Sequence, residues 1–341
     1  MTTESQLRIV RDCLAGRKVV VTGGAGFIGS NLCHALGLFG AGVVAIDNFL
    51  EGGGATETNL VGASAQLVRG DMREMDLRPV CEGADIVFNL AGYTSHLGSE
   101  MEPELDLSIN AAAQLRLILA LRDVAPMAAV VHASTRQIYG RATSLPVNED
   151  HPIRPPDANS VSKVAGEHYW MWEHRSRGRR VVLLRLTNCY GPRLRIADDK
   201  QGFLGNWFRA ALTDTPFEVW GGNQLRDLAF VDDVTWAFIL AAAVPECHGR
   251  IFNVGGSSPA TLKEIADMLV ASTEGRAKYL MKTIPTPRAR IDIGSYYTDD
   301  TAFRSASGWA PRVSIMEGFQ RTLSWYRSRL SSYLPEVPNA H

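Results

Sequence analysis

A glycine-rich segment follows the first apolar run of the chain, and its spacing suits the binding of a phosphate group. Residues 22–29 read T-G-G-A-G-F-I-G, which fits both G-x-G-x-x-G and G-x-x-G-x-x-G. The glycines that satisfy one or both spacings are Gly23, Gly24, Gly26 and Gly29. Such glycines permit a tight turn and close backbone approach to a pyrophosphate, and a helix that begins at Phe27 directs its positive dipole end at the anion. The segment therefore predicts a dinucleotide-binding loop.

The second apolar run ends at Asp47, 18 positions after Gly29. A carboxylate at this point can accept hydrogen bonds from the hydroxyls of an adenosine ribose, and it repels the 2′-phosphate of NADP. Residues 47–54 contain no arginine or lysine that could bind such a phosphate. We therefore predict NAD as the cofactor.

The elements that position these residues follow from the hydrophobic pattern of the first two-thirds of the chain. Several runs are apolar almost throughout, as expected for strands buried on both faces of a parallel sheet. The predicted strands are Lys18–Thr22, Val43–Ile46, Gln66–Val68, Ile86–Leu90, Ala128–Ala133 and Val181–Leu186, and the clearest helices are Phe27–Leu38, Glu104–Val124 and Ser160–Arg175. This order predicts an α/β fold, a doubly wound parallel Rossmann sheet with helices on both faces.

The pattern changes after Pro192, where helical segments are separated by loops rich in glycine and proline and by short strands. The predicted helices are Gly205–Leu212, Val231–Ala243, Thr261–Ser272 and Ile315–Arg327, and the strands include Phe217–Trp220 and Ile251–Val254. We predict an NAD-binding Rossmann domain over residues 1–192 and a smaller C-terminal α/β substrate-binding lobe over 193–334. Chain crossings back to the sheet are expected near 228–255, and Pro335–His341 are expected to be loose.

Charge, hydropathy and cysteine content exclude several classes of protein. Lys and Arg number 35 against 36 Asp and Glu, so no global field attracts nucleic acid or an anionic membrane. The longest apolar stretch, near Trp236–Val244, is shorter than the roughly 20 residues of a membrane span. Met1–Gly16 lacks the apolar core of a signal peptide. The 5 cysteines, odd in number and without metal-binding spacing, indicate reduced thiols in a soluble, cytoplasmic protein.

Taken in order, the motifs of the chain resemble the extended short-chain dehydrogenase/reductases. Within them they resemble the NAD-dependent epimerase/dehydratase family, which acts on nucleotide sugars. The resemblance runs from about Lys18 to Tyr326. Its landmarks are Thr22–Gly29, Gly70–Met72, Asn89–Gly92, Ser134–Gly140, Lys163, Arg185–Pro192, Gln224–Asp227 and Val231–Val234.

The resemblance implies roles for individual residues. The implied cofactor-binding residues are Gly23, Gly26, Phe27, Ile28, Gly29, Asp47, Asn48, Asp71, Met72, Leu90, Ala91, Gly92 and Lys163. Among them, Asp71 and Met72 would meet the adenine, and Lys163 would hold the nicotinamide ribose. The implied ligands of the substrate diphosphate are Asn188, Arg226 and either Arg288 or Arg290, and Tyr93 and Arg136 are further candidate substrate-binding residues. Arginine suits the substrate diphosphate because a guanidinium bonds phosphate in a forked, bidentate way.

One departure from the family pattern affects the catalytic centre. The family pairs a Ser or Thr with Tyr-x-x-x-Lys, and Thr135 and Lys163 occupy two of these places, but Asn159 stands where the tyrosine is expected. An amide cannot act as a general base near neutral pH, although it can orient a hydroxyl. The proton could instead move through His96 or through the phenol of Tyr93, and an imidazole has the more suitable ordinary pKa. The alternative for His96 is a loop histidine that merely lines the sugar pocket.

A second departure concerns the reaction type. The family's 4,6-dehydratases carry Asp-Glu where this chain has Arg136-Gln137, and its decarboxylases carry a Glu at the position of Gln137. A guanidinium and an amide cannot protonate a leaving hydroxyl or deprotonate a carbon. Elimination is therefore not expected. Arg136 could instead face an anionic group of the substrate, such as a uronate carboxylate, or form a salt bridge that supports its loop.

These residues predict an NAD-dependent nucleotide-sugar epimerase that oxidises the hexose transiently at C4, with Thr135, Asn159, Lys163 and His96 in the catalytic centre. The alternatives are a nucleotide-sugar dehydrogenase or ketoreductase, and a nucleotide-sugar-binding protein with vestigial catalysis. The resemblance also implies a homodimer through helices 104–124 and 160–175, whose apolar positions exceed a single buried stripe.

Overall fold

The computed structural model describes residues 3–198 and 202–334, and its centre is a seven-stranded parallel sheet in the order β10-β6-β5-β4-β1-β2-β3. The strands of this sheet are β1 Lys18–Thr22, β2 Gly42–Asp47, β3 Ala65–Arg69, β4 Ile86–Asn89, β5 Ala129–Thr135, β6 Val181–Leu186 and β10 Arg250–Val254. The strand order reverses between β1 and β4, which is where α/β sheets of this kind bind their ligands. The predicted fold class is confirmed.

Helices cover both faces of the sheet because its central strands are buried on both sides. The helices of the N-terminal part are α1 Glu4–Leu14, α2 Phe27–Leu38, α3 Arg78–Cys81, α4 His96–Met101, α5 Pro103–Leu107, α6 Ala113–Val124 and α7 Ala158–Arg177. Helix α2 and the strands β1 and β6 have the predicted bounds, and the other strands predicted before Pro192 differ by one or two residues at their ends.

The segment predicted as one helix over Glu104–Val124 is interrupted by a wide turn. Residues 108–112 between α5 and α6 form a π-helical turn, in which the N–H of Ala113 donates to the carbonyl of Ser108. The extra residue per turn lets Gln114 Nε2 donate to the carbonyl of Ile109 at 3.2 Å. Turns of this type occur frequently at functional sites.

The C-terminal part builds two small sheets and also returns to the main sheet. Its remaining strands are β7 Asn188–Tyr190, β8 Phe217–Trp220, β9 Leu225–Phe230, β11 Pro259–Thr261 and β12 Tyr279–Lys282. Its helices are α8 Phe203–Leu212, α9 Val231–Ala243, α10 Leu262–Ala271, α11 Thr286–Ile291, α12 Thr301–Ser307, α13 Ile315–Arg327 and α14 Leu330–Tyr333. The strand predicted at Ile251–Val254 pairs with β6 at the edge of the main sheet. The division of domains at residue 192 stays a prediction.

Three further expectations concern the cysteines, membrane-spanning segments and the C-terminal tail. All 5 cysteines are free thiols. Among the described residues no helix is long and apolar enough to cross a membrane. The predicted loose tail, Pro335–His341, lies outside the described residues.

Candidate active site

The glycine loop lies between β1 and α2 at the carboxyl edge of the sheet. Gly23 has a positive φ of 66°, and a Cβ at Gly29 would overlap the carbonyl oxygen of Gly23. A Cβ at Gly24 would lie 2.6 Å from Cβ of Ala45. The loop therefore needs glycine both for its conformation and for its packing, and it leaves the first N–H groups of α2 directed at the space where a pyrophosphate would lie.

Asp47 ends β2 beside this loop and is bonded to it. Its Oδ2 accepts from the N–H of Ala25 at 3.0 Å, and its Oδ1 accepts from the N–H of Phe49 at 3.0 Å. Burial raises the pKa of Asp47, and the backbone hydrogen bonds oppose that rise. Asp47 thus fixes the loop from the side on which the adenosine ribose is expected.

A cation near Asp47 comes from the neighbouring strand and not from residues 47–54. Arg69 ends β3 opposite Asp47 in the parallel register. Its guanidinium lies 4.2 Å from the ring centroid of Phe49 and pairs with Glu57. Glu57 offsets part of the guanidinium charge, and the carboxylate of Asp47 still disfavours a 2′-phosphate on the ribose.

The residues expected near the adenine lie in the turn after β3. Asn48 Nδ2 donates to Asp71 Oδ2 at 2.9 Å, and Arg73 forms an ion pair with the same carboxylate at 2.6 Å. Hydrogen bonds from Arg73 hold the pKa of Asp71 well below its ordinary value. Met72 is buried beside them.

The segment after β4 lies against the glycine loop. The N–H groups of Leu90 and Ala91 each donate to Thr22 Oγ1 at 3.1 Å, and a Cβ at Gly23 would lie 2.9 Å from the nitrogen of Ala91. Gly92 faces Lys163, since a Cβ there would lie 2.8 Å from Nζ. The two loops and Lys163 therefore lie together at the carboxyl edge of the sheet, where the dinucleotide is expected.

Lys163 is tied to a buried polar cluster. Its Nζ donates to Asn110 Oδ1 at 3.2 Å. Burial lowers the pKa of Lys163, and the carboxylates of Asp106 and Glu167 act in the opposite direction. Asn110 stands in the π-helical turn, and its Nδ2 donates to Asp106 Oδ2 at 3.1 Å.

Asn159 lies one helical turn before Lys163 and joins the same cluster. Its Nδ2 donates to Asp106 Oδ2 at 2.7 Å and to the carbonyl of Tyr93 at 2.6 Å. The side chain is 1% exposed. At the position where the family pattern has a phenol, this chain thus has an amide held by a buried carboxylate.

His96 begins α4 and contacts a carboxylate that caps α7. Its Nδ1 lies 2.8 Å from Asp157 Oδ2. Asp157 is the N-cap of α7, and its Oδ1 accepts from the N–H of Ser160 at 2.8 Å. Burial acts to raise the pKa of Asp157, but the contacts with His96 and Ser160 outweigh it, so the net pKa is lowered. An ionised Asp157 can orient the imidazole and stabilise its protonated form.

Gln137 connects Asp157 to Thr135. Its Nε2 donates to Asp157 Oδ2 at 3.3 Å, and its backbone N–H donates to Thr135 Oγ1 at 3.2 Å. The hydroxyl of Thr135, at the carboxyl end of β5, is thereby placed in the same region as His96.

Tyr93, the other candidate base, is less suited to that role. Burial raises the pKa of its phenol, and the carboxylates of Glu102 and Asp106 raise it further. Its backbone is held by Asn110, whose Oδ1 accepts from the N–H of Tyr93 at 3.1 Å. Of the two candidates, only His96 has a carboxylate partner among the described contacts.

The arginines expected to bind substrate separate into a buried and a more exposed pair. Arg136 and Arg226 are 8% and 7% exposed, respectively. Arg226 pairs with Asp292 at 3.2 Å and also donates to the carbonyl of Gly294. Burial, followed by the nearby charge of Arg136, lowers the pKa of Arg226 to about 10.

Asn188, Arg288 and Arg290 occupy different parts of the proposed substrate region. Asn188 begins β7, and its Oδ1 accepts from Arg136. Arg288 is half-buried and lies 4.1 Å from the ring centroid of Trp220, whereas Arg290 is exposed. The choice between Arg288 and Arg290 as a diphosphate ligand stays open.

Sequence reasoning missed Asp106, Asp157 and Asn110. Asp157 could have been predicted as a helix cap, since an Asp directly before a helix is a frequent N-cap. Asp106 and Asn110 could not have been predicted, because their four-residue spacing on a helix is common and their partners lie 53 residues further along the chain.

The family profile described as "NAD dependent epimerase/dehydratase family" matches residues 19–255 of this chain. The "UDP-glucose 4-epimerase" of Mycolicibacterium smegmatis is 30% identical over 320 residues, which cover 92% of this chain and 99% of the relative.

Two solved structures are also similar to the chain. "Epimerase Mth375" of Methanothermobacter thermautotrophicus superposes with a TM-score of 0.89 at 25% identity, covering 97% of each chain. The "UDP-Glucuronic acid 4-epimerase from Bacillus cereus in complex with UDP-Glucuronic acid and NAD" has a TM-score of 0.82 at 26% identity, covering 92% of this chain and 99% of that one.

Proposed function

Because the chain belongs to the NAD-dependent epimerase/dehydratase family, we propose that it is a nucleotide-sugar epimerase that oxidises a hexose transiently at C4. The observation that carries the proposal is the contact of His96 with Asp157 in a site that also holds Thr135 and Lys163. This pair supplies the proton-transfer group that Asn159 cannot provide. The similarity to nucleotide-sugar 4-epimerases supports the same reaction.

The residues at the carboxyl edge of the sheet support a binding position for NAD. The loop Gly23–Gly29 would hold the pyrophosphate, Asp47 the adenosine ribose and Lys163 the nicotinamide ribose. NAD supplies a hydride acceptor for the first half of the reaction and a hydride donor for the second. A tightly held cofactor is needed because it must be regenerated within each turnover.

Residues of the chain itself would transfer the proton of the C4 hydroxyl. Thr135 Oγ1 hydrogen-bonds the C4 hydroxyl, and His96, oriented by Asp157, takes the hydroxyl proton as C4 loses its hydride. The hydride of C4 would pass to bound NAD and return to the opposite face of the sugar. His96 returns the proton to the C4 oxygen, so atoms and charge balance over the cycle.

Arg136 and Gln137 argue against water elimination and decarboxylation as the reaction. Gln137 is held by Asp157 and by the carbonyl of Ile291, at 3.3 and 3.1 Å. An amide in this place cannot exchange a proton with C5 or with a leaving hydroxyl.

A panel of nucleotide sugars without added NAD tests the proposal. We expect inversion at C4 in at least one UDP-hexose or UDP-uronate, without net reduction of the cofactor, when products are resolved by anion-exchange chromatography and NMR. Stoichiometric gain of absorbance near 340 nm together with a released keto sugar would instead identify a dehydrogenase.

Asn159 favours a second candidate, a nucleotide-sugar-binding protein with vestigial catalysis. Loss of one general acid–base group costs about 10²–10⁴-fold in rate, so turnover could fall to a very low level. Calorimetric binding of a UDP-sugar with neither inversion nor cofactor reduction across the panel would select this candidate.

We also propose a homodimer through α6 and α7. These helices leave apolar side chains exposed, among them Leu119 at 46%, Val161 at 56% and Trp172 at 41%. The guanidinium carbon of Arg122 in α6 lies 4.6 Å from the ring centroid of Trp172 in α7. This cation–π contact connects the exposed faces of the two helices. A paired copy of the chain would remove this surface from water.

Trp172→Glu is expected to shift the protein from dimer to monomer in sedimentation velocity, because it replaces a large apolar contact with a carboxylate that would have to be desolvated in the interface. Leu38→Glu, at an 88% exposed position on α2, is the matched control and should leave the oligomeric state as it is. A monomeric parent protein, or a dimeric Trp172→Glu variant, would contradict the proposed interface.

A further inference from the structure

Arg136 is a buried guanidinium next to the residue that meets the reacting hydroxyl. It directly follows Thr135, is 8% exposed, and donates through one nitrogen to Asn188 Oδ1. Its Cζ lies 4.9 Å from the ring centroid of Tyr296. Its Nη1 is buried and has no hydrogen-bond partner among residues 3–198 and 202–334.

The acidic groups around Arg136 are engaged elsewhere. Asp227 accepts from Thr187 Oγ1 at 2.6 Å and from the N–H of Thr298 at 3.2 Å. Asp292 pairs with Arg226. Within the described part of the chain, no carboxylate lies within ion-pair distance of Arg136, so the salt bridge considered as the alternative for this residue is not formed.

A second buried guanidinium makes the same region more electropositive. The charge of Arg136 acts on Arg226 strongly enough to be the largest cause, after burial, of its lowered pKa. Burying Arg136 without a paired anion is costly, and the neighbouring charge of Arg226, which Asp292 offsets in part, adds repulsion. A carboxylate that pairs with Arg136 would reduce both costs.

We propose that Arg136 binds a carboxylate on the hexose itself, so that the site prefers nucleotide-linked uronic acids to neutral hexoses. The assignment rests on the proposed function for the position of the sugar. C4, which Thr135 meets, is next to C5 and its carboxyl-bearing C6, whereas the diphosphate leaves from C1 on the opposite side of the pyranose ring. A side chain adjacent to Thr135 therefore meets the C6 substituent, while Arg226 is left for the diphosphate.

The chemistry of the guanidinium explains the selectivity. A carboxylate can accept two parallel N–H hydrogen bonds from an arginine, and Nη1 of Arg136 is available as a donor. A neutral hydroxymethyl group neither neutralises the charge nor occupies both donors. A charged hydrogen bond of this kind is worth about 1.5–3 kcal/mol, which corresponds to roughly a 10- to 100-fold preference.

Calorimetric titration of the NAD-loaded protein with UDP-glucuronate and UDP-glucose tests the subsite. The parent protein is expected to bind UDP-glucuronate about 10- to 100-fold more tightly, Arg136→Gln to lose that preference, and Arg136→Lys to keep part of it. Arg226→Gln is the matched control, since it should weaken both ligands by similar factors. Retained NAD affinity shows that each variant is folded.

Two outcomes would overturn the assignment. The first is a parent protein without preference for UDP-glucuronate, and the second is an Arg136→Gln variant that loses both ligands equally, which would place Arg136 at the diphosphate. Inversion at C4 is measured separately on the same samples. If the protein prefers UDP-glucuronate through Arg136 but inverts no sugar, the carboxylate subsite is supported and the epimerase proposal is rejected. If it inverts UDP-glucose but binds both ligands equally, the epimerase proposal is supported and the subsite is rejected.

Discussion

Replacing His96 with alanine is expected to lower kcat about 100-fold or more, because the variant loses the group that takes and returns the hydroxyl proton. Asp157 Oδ2 lies 2.8 Å from Nδ1 in the parent protein, close enough to stabilise a protonated ring electrostatically. The measurement is kcat at saturating concentration of whichever sugar nucleotide the panel identifies.

His248→Ala is the control for this experiment, since His248 contacts the carbonyl of Ala242 at 3.2 Å and belongs to no part of the proposed site. Asp157→Asn separates orientation from folding: an asparagine caps a helix as well as an aspartate does, but it cannot stabilise a charged imidazole. This variant should be slower than the parent with its thermal midpoint nearly retained. A His96→Ala enzyme of parental kcat would reject His96 as the acid–base group.

Restoring the family's phenol is expected to harm this enzyme. Asn159→Tyr should lower kcat/KM by about 100-fold, because a displacement of the order of 1 Å in a catalytic group can have that cost. The amide of Asn159 is 1% exposed and bonded to Asp106 and to the carbonyl of Tyr93, so a tyrosine ring would have to displace both partners. The buried carboxylate of Asp106 would then lose a donor.

Arg175→Tyr, an exposed position on the same helix, measures what a tyrosine on α7 costs outside the site. An Asn159→Tyr enzyme that is faster than the parent, combined with an unaffected His96→Ala enzyme, would show that the native site is merely impaired. The result expected here indicates a site rebuilt around a different base, in which Asn159, Arg136 and Gln137 belong together.

The fold was predictable because its signals are local. Strands such as Val181–Leu186 are apolar throughout, and the glycine loop requires a strand before it and a helix after it. The pairing of β10 with β6 was harder to predict from the sequence, because the residues of a five-residue strand do not determine which sheet it joins.

The candidate site was predictable as a set of residues but not as a set of contacts. His96 and Asp157 are far apart in the chain, and their contact depends on where α4 begins relative to the N-cap of α7. The cation beside Asp47 was missed for the same reason, since Arg69 comes from the adjacent strand. Pairings across elements depend on tertiary packing, which local periodicity does not encode.

The π-helical turn at residues 108–112 gives the helix α5–α6 two registers instead of one. Before the turn, Asp106 faces Asn159; after it, Leu117 and Ile118 pack in the core beneath the sheet. A regular α-helix of the same sequence would present these two sets of side chains at a different angle to each other. The wide turn adds one residue and so offsets the two faces, which lets Asp106 meet Asn159 while Leu117 and Ile118 still pack under the sheet.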